Sequence, residues 1–261
     1  MEEEAGNPRS AGASGFRDHF SGAAREYAVY RPRYPDALFR TLTSLAPSRR
    51  LAWDCATGNG QAALGLASFF DRVLATDASI AQLSRASKHP AVVYAQTHAE
   101  RPCVRDAAVD LITVAQALHW FHLRDFFQAA RRALVPRGVL AVWSYGVARV
   151  TPGIDRELDD FYHRIVGPYW PPERAMVESG YRGLEFPFDD VPIASPPMAA
   201  EWTLGDLAGY LRTWSATLRY QAERGEDPVT RLARSIEPLW GGPNARRRVV
   251  WPLSVRAGRV A

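Results

Sequence analysis

Only two cysteines, Cys55 and Cys103, occur among the 261 residues, and their separation gives neither a metal-ligand spacing nor a disulfide framework. No metal centre is expected. Lysine is almost missing: Lys88 is the one lysine among 32 basic residues, so no Tyr-x-x-x-Lys pair of the kind used in nicotinamide chemistry can form. No apolar run approaches the roughly 20 residues that a bilayer-spanning helix needs. The opening stretch, MEEEAGNPRSAGASG, is acidic where a secretion signal would be basic and then apolar. A cytoplasmic protein with no membrane partner is the expectation. A large excess of one charge is lacking too, because the net charge is +4 and acids interleave with the basic residues everywhere except ARRRVV at 245–250. No nucleic-acid partner is therefore expected.

What is present is enough apolar material, 47% of residues, for a substantial core in one domain. Residues 1–15, rich in Gly, Ser, Pro and Glu, read as a disordered tail. A single domain is expected over 16–261, divided into a cofactor-binding core (16–147), a substrate-side region (148–245) and a final strand (246–261). Within the core, DALFRTLTSLA carries Leu38, Leu42 and Leu45 on one helical face. Beyond it, strands (LAWDC, RVLATD, AVVYAQ, VDLITVAQ, GVLAVWSY) alternate with helical stretches (QAALGLASFF, SIAQLSRAS, LRDFFQAARRAL). Apolar strands alternating with helices predict an α/β fold with a doubly wound, mainly parallel sheet and helices on both faces. Past Gly146 the composition turns aromatic and Pro-rich. Two helices, 204–220 and 228–240, are expected there, and RRVVWPLSVRAGRV reads as a late strand with Pro252 marking an edge or a bulge.

The strand LAWDC runs into ATGNGQAA, and the glycine spacing suits two cofactors. Gly58-x-Gly60-x-x-Ala63 fits a dinucleotide, while Asp54-x-Ala56-x-Gly58-x-Gly60 fits S-adenosylmethionine (SAM). Asp77, which closes the second strand, can accept from ribose hydroxyls in either case. Asp54 separates the two, because a carboxylate on the approaching strand repels a pyrophosphate but favours the ammonium and sulfonium of SAM. SAM is the expected cofactor, with S-adenosylhomocysteine as its product.

Several motifs in order, DCATGNG (54–60), ATDAS (75–79) and LVPRGVLAVWSY (134–145), make the chain similar to the class I SAM-dependent methyltransferases, whose fold is Rossmann-like with a seven-stranded sheet. YAVYRPRYP (27–35), AQALHWF (115–121), YLRTWSA (210–216) and VVWPLSVRAGR (249–259) resemble the group that includes trans-aconitate methyltransferase-like proteins. The resemblance implies that Asp54, Ala56, Thr57, Gly58, Asn59 and Gly60 hold the amino-acid end of the donor. By the same likeness Asp77 and Ala78 hold the ribose, and Ala99 and Glu100 border the adenine. Gln116 and Trp120 fall at the end of the fourth strand, beside the transferable methyl, and His119 stands there as a base, a substrate-positioning donor or part of a packed lid.

Arg31 can bind a carboxylate or pin the amino-terminal segment, with Tyr27 beside it. Arg212 and Trp214 complete the expected acceptor residues; two apart on one helix, they should not both face the pocket. The resemblance implies methyl transfer to a small molecule, with the carboxylate of an organic acid as the first expectation. Such an acceptor is already ionised at neutral pH, needs no base, and makes Arg31 or Arg212 matter for acceptor binding. O- or N-methylation of an apolar natural product remains open, given Trp170, Trp202, Trp214 and Trp240 in the substrate-side region, as does a SAM-binding protein without catalysis. Oligomeric state is not legible.

Overall fold

The computed structural model describes residues 30–242 and 244–260. The expected tail at 1–15 and Tyr27 lie outside the described residues.

After α1 (Asp36–Leu45), the chain alternates β1 (Leu51–Cys55), α2 (Gln61–Leu66), β2 (Arg72–Asp77), α3 (Ile80–Leu83), β3 (Val92–Gln96), β4 (Val109–Ala115), α4 (Leu123–Ala133) and β5 (Leu134–Tyr145). β1 to β5 pair in parallel, in the spatial order β3-β2-β1-β4-β5. The order reverses between β1 and β4, so the carboxyl ends of these two strands open a crevice at the switch point, where ligands of such sheets bind. Cys55 sits opposite Val114 there, which brings the glycine loop after β1 and the turn after β4 side by side.

Strand alternation divides the sheet's apolar side chains between two cores. Ala52, Leu111 and Val139 face α1 and α2 with Leu38, Leu42 and Leu66, whereas Trp53, Ile112 and Leu140 face α4 with Phe126 and Ala130. The strands are apolar on both faces because both are covered, as a parallel sheet requires. A third core belongs to the region after β5. There α5 (Pro152–Asp160), α6 (Arg174–Glu178), α7 (Leu204–Arg212), α8 (Ser215–Arg224) and α9 (Pro228–Trp240) follow one another, and Leu158, Phe161, Trp214, Trp240 and Trp251 pack together.

The carboxyl-terminal run departs from the single strand expected over 246–261. It forms β8 (Arg247–Trp251), paired with β7 (Met198–Trp202) in a separate two-stranded sheet, and β9 (Leu253–Arg259), inserted antiparallel between β5 and β6 (Asp189–Val191). Pro252 divides them, since its lack of an N–H leaves nothing to donate to either ladder. With β9 and β6 the main sheet reaches seven strands, mostly parallel. The helix expected over 204–220 also breaks in two. Thr213 turns its hydroxyl back to the Tyr210 carbonyl (2.6 Å), and Trp214 is extended at ψ 136°.

Candidate functional site

The glycine loop is shaped from beneath by one carboxylate and tied from the side by another. Asp54, fully buried, accepts from the Thr57 hydroxyl (2.5 Å) and the Thr113 hydroxyl (2.7 Å). Burial pushes its pKa up to about 6 against the pull of those bonds, and the nearby Asp77 charge adds to the rise. With both oxygens engaged by threonines, Asp54 does not present a bare carboxylate to the crevice; it sets the loop's shape and its potential.

Asp77 accepts from the Gly58 amide (2.8 Å) through one oxygen and from the Ser79 amide (2.8 Å) through the other, which joins the ends of β1 and β2. A carboxylate at the end of the second strand is the kind of group that accepts from ribose hydroxyls. Three loop residues are left-handed: Ala56 (φ 53°), Gly58 (φ 58°) and Gly60 (φ 87°). The two glycines adopt this region at no steric cost, while Ala56 stores on the order of 1–2 kcal/mol. A Cβ built on Gly58 meets nothing within 4 Å, so the loop borders open space there. Open space with Asp77 at its edge and the buried Asp54 beneath the loop suits a cationic donor with ribose hydroxyls and disfavours a pyrophosphate.

Farther along the crevice, the Gln96 amide side chain donates to the Ala78 carbonyl (3.0 Å), which fixes the backbone beside Asp77. Ala99 is buried, and the Glu100 carboxylate accepts from the His122 amide (2.9 Å) at the start of α4.

Across the crevice a second cavity begins at the end of β4. Gln116 takes a left-handed conformation (φ 57°) and donates its side-chain amide to the Tyr145 carbonyl (3.4 Å). A 3-10 turn at Leu118–Trp120 then presents His119, whose ring lies 4.6 Å from that of Trp120. Trp120 itself is partly exposed at the cavity's lip. Burial, reinforced by the Arg174 charge, pushes the imidazole down to about 3, so the ring is neutral at physiological pH and a poor proton acceptor.

Two guanidiniums line the same cavity. Arg31 donates to the Tyr145 hydroxyl (3.0 Å) and the Thr213 carbonyl (3.3 Å) and lies 5.5 Å from the centre of the Tyr210 ring. Arg174, from α6, donates Nε to the Tyr162 hydroxyl (2.7 Å) and stacks over Trp170 at 4.5 Å. Burial drives the Tyr145 phenol up to about 12 despite Arg31, so it remains a protonated hydroxyl.

The expected acceptor residues divide. Trp214, 3% exposed, is both core and cavity wall, which the break between α7 and α8 makes possible. Arg212 is a correction: it is spent on Asp227, with Nε and Nη2 each 2.8 Å from the carboxylate, and on the Thr230 hydroxyl, outside the cavity. Its helix turns it toward the start of α9, as the two-residue offset from Trp214 requires. Arg174, Tyr145 and Tyr181 had no signal in the sequence; they come together only through the fold.

A model of the methyltransferase domain family matches residues 53–142. A Dictyostelium discoideum protein provisionally named a methyltransferase is 31% identical over 225 residues, 85% of this chain and 86% of its own. A methyltransferase of Pestalotiopsis fici is 24% identical over 308 residues, covering 88% of this chain and 90% of that one. Among solved structures, a protein from Anaeromyxobacter dehalogenans, provisionally described as a type II methyltransferase, is 45% identical with a TM-score of 0.82, covering 88% of this chain and 98% of its own. With the seven-stranded sheet and the acid-framed loop, these likenesses make the chain a member of the class I SAM-dependent methyltransferases.

Proposed function

We propose that this enzyme methylates a small molecule bearing a carboxylate, held in the cavity between Arg31 and Arg174. The observation that carries the reading is the convergence of two guanidiniums on one aromatic-walled cavity beside the end of β4. Planar guanidinium forks match carboxylates bidentately, and aromatic walls strengthen the attraction by excluding water. The likeness of YAVYRPRYP and YLRTWSA to the trans-aconitate methyltransferase-like group supports the same acceptor class.

Bound SAM supplies a methyl carbon on a sulfonium, open to in-line attack by an acceptor oxygen while the sulfur keeps the electron pair of the broken bond. The chain's own residues do the rest. In this reading the loop Ala56–Gly60 and Asp54 hold the cationic end of the donor, and Asp77 with Ala78 holds the ribose. Ala99 and Glu100 border the adenine, and Gln116 and Trp120 face the methyl. Arg31 and Arg174 orient the acceptor. Holding the reactants in line accounts for roughly 7–11 kcal/mol in well-oriented systems. No base is required for a carboxylate, in keeping with a neutral, weakly basic His119.

The test is incubation with SAM and a panel of small mono-, di- and tricarboxylates beside apolar phenols and amines, with mass-spectrometric detection of species gaining one methylene. Methyl esters formed by the natural protein and not by Asp77→Ala would establish the reading. Methylation confined to the phenols or amines would replace it with the apolar natural-product reading that the tryptophans of this region also fit.

A further inference from the structure

The cavity wall carries an imidazole, one of whose nitrogens is already engaged. His119 Nδ1 lies 3.2 Å from the hydroxyl of Tyr181, a residue 1% exposed. Burial keeps the Tyr181 phenol protonated, and the backbone amides of Leu118 and His119 act on the same oxygen. A protonated phenol has one proton to give, and an oxygen facing amide N–H groups directs that proton away from them, toward Nδ1. Nδ1 is then the acceptor, and the ring hydrogen sits on Nε2.

The backbone that delivers this hydroxyl is built for it. Helix α6 ends in a Schellman closure, with Tyr181 N–H bonded to the Met176 carbonyl (3.0 Å) and Gly180 N–H to the Val177 carbonyl (2.9 Å). Gly180 is left-handed at φ 61°, and a Cβ there would stand 2.6 Å from the Ser254 hydroxyl oxygen, so only glycine fits. Tyr181 follows at φ 60°, a conformation that an aromatic residue rarely adopts. Such strain persists where the surroundings over-determine it, and sites of function are where it clusters.

We propose that Tyr181 is a positioning residue that locks His119 as a neutral, Nε2-protonated donor to the methyl acceptor. The proposal rests on the reading of this cavity as the acceptor site. The Nε2–H then donates a hydrogen bond to an acceptor oxygen and fixes which oxygen faces the methyl. The lock also resists protonation, because a proton placed on Nδ1 breaks the bond that Nδ1 accepts from the hydroxyl. Among the described residues the charged groups on the cavity wall are Arg31 and Arg174, and the Arg174 charge opposes a positive ring as well. Tyr145 and Tyr210 are the other titratable wall residues, and burial keeps the Tyr145 phenol protonated.

Nitrogen-15 NMR of the full chain labelled at histidine, with S-adenosylhomocysteine bound, reads the tautomer directly. The expected spectrum shows His119 as one Nε2–H species that does not titrate down to about pH 5, well above its value near 3. An Nδ1–H species, or titration near the ordinary histidine value, overturns the proposal.

Tyr181→Phe should yield mixed tautomers and a His119 that titrates at higher pH, while kcat drops about tenfold, the worth of one good hydrogen bond, with SAM affinity kept within about twofold. Because Tyr181→Phe also removes a buried hydroxyl from the packing around the turn, His119 substitutions give a check with Tyr181 left in place. His119→Gln, whose amide NH2 reaches the Nε2 position, should keep kcat within about threefold, while His119→Asn and His119→Ala lose about tenfold or more. A His119→Gln as impaired as His119→Ala overturns donation from Nε2. Failure of every carboxylate to be methylated would sink the acceptor reading instead, and leave the NMR result to judge the lock by itself.

Discussion

Around the donor loop the polar work is done by carboxylates and backbone amides within a few residues of one another: Asp54 with Thr57, and Asp77 with Gly58 and Ser79. Around the acceptor cavity it is done by guanidiniums, phenols and an imidazole drawn from positions 31, 116, 119, 145, 174 and 181. The donor side binds the same molecule in every member of such a family, so a compact loop with fixed backbone geometry suffices. The acceptor side has to be assembled anew for each substrate, and long side chains from separate elements are the adaptable material for it. The two sides should therefore answer differently to substitution.

The largest expected effect lies on the donor side. Asp77→Ala removes the tie to Gly58 and, in the proposed reading, the acceptor of the ribose hydroxyls together. Two bonds to a charged group at about 1.5–3 kcal/mol each amount to about 3–6 kcal/mol, so SAM affinity should weaken by at least about a hundredfold, as titration calorimetry would show. Acceptor KM, measured at saturating SAM, should change little. A variant that instead kept its SAM affinity and lost acceptor affinity would dissolve the division between the two sides.

Next comes a pH test of Asp54. Its folded pKa, about 6, is raised above the unfolded 3.8, so the folded state holds the proton more tightly. Stability from this group is thus fully present below about pH 4 and is lost as pH rises through about 6. The loss amounts to about 3 kcal/mol, given two units at about 1.36 kcal/mol each. Asp54→Asn cannot ionise and should lack that slope. Urea unfolding of both proteins without SAM from about pH 4 to pH 8 isolates the group by difference. Parallel pH profiles would show that burial costs Asp54 nothing. Carrying that cost in an unliganded loop makes sense for a group whose charge a cationic donor later compensates.

The same contrast explains what could be read in advance. The donor loop was legible because its chemistry is local: glycines at left-handed positions, an acid ahead of them and another closing the next strand all lie within the span from Asp54 to Asp77. Strand alternation was legible too, since β1 to β5 are apolar on both faces. Beyond Tyr145 the reading lost accuracy for physical reasons. Thr213 and Trp214 carry no helix-breaking signal, yet tertiary packing of Trp214 against Phe161 and Tyr210 overrides the helical period at 204–220. Pro252 did signal an interruption, but which sheet each half would join depends on β7 and β5, far away in sequence. Arg174 and Tyr181 belong to a helix of five residues and its terminus, too short to leave a periodic trace.

The smallest expected effect is also the sharpest on where the acceptor side ends. Arg31 and Arg212 were equivalent candidates from sequence, and the fold separates them. Arg212→Gln breaks a half-exposed ion pair with Asp227, whose carboxylate also accepts from the Val229 amide at the start of α9. Such pairs contribute about 0.5–1 kcal/mol, so Tm should fall by about 1–4 °C with acceptor KM and SAM affinity unmoved. Arg31→Gln should do the reverse to activity, raising acceptor KM about tenfold or more, because a charge-assisted bond inside the cavity is lost. The two variants remove the same charge, so a long-range effect of net charge would move both alike. Only a boundary that puts Arg31 inside the cavity and Arg212 outside it separates them; a matching rise in acceptor KM for Arg212→Gln would mean that α7 and the start of α9 belong to the acceptor site after all.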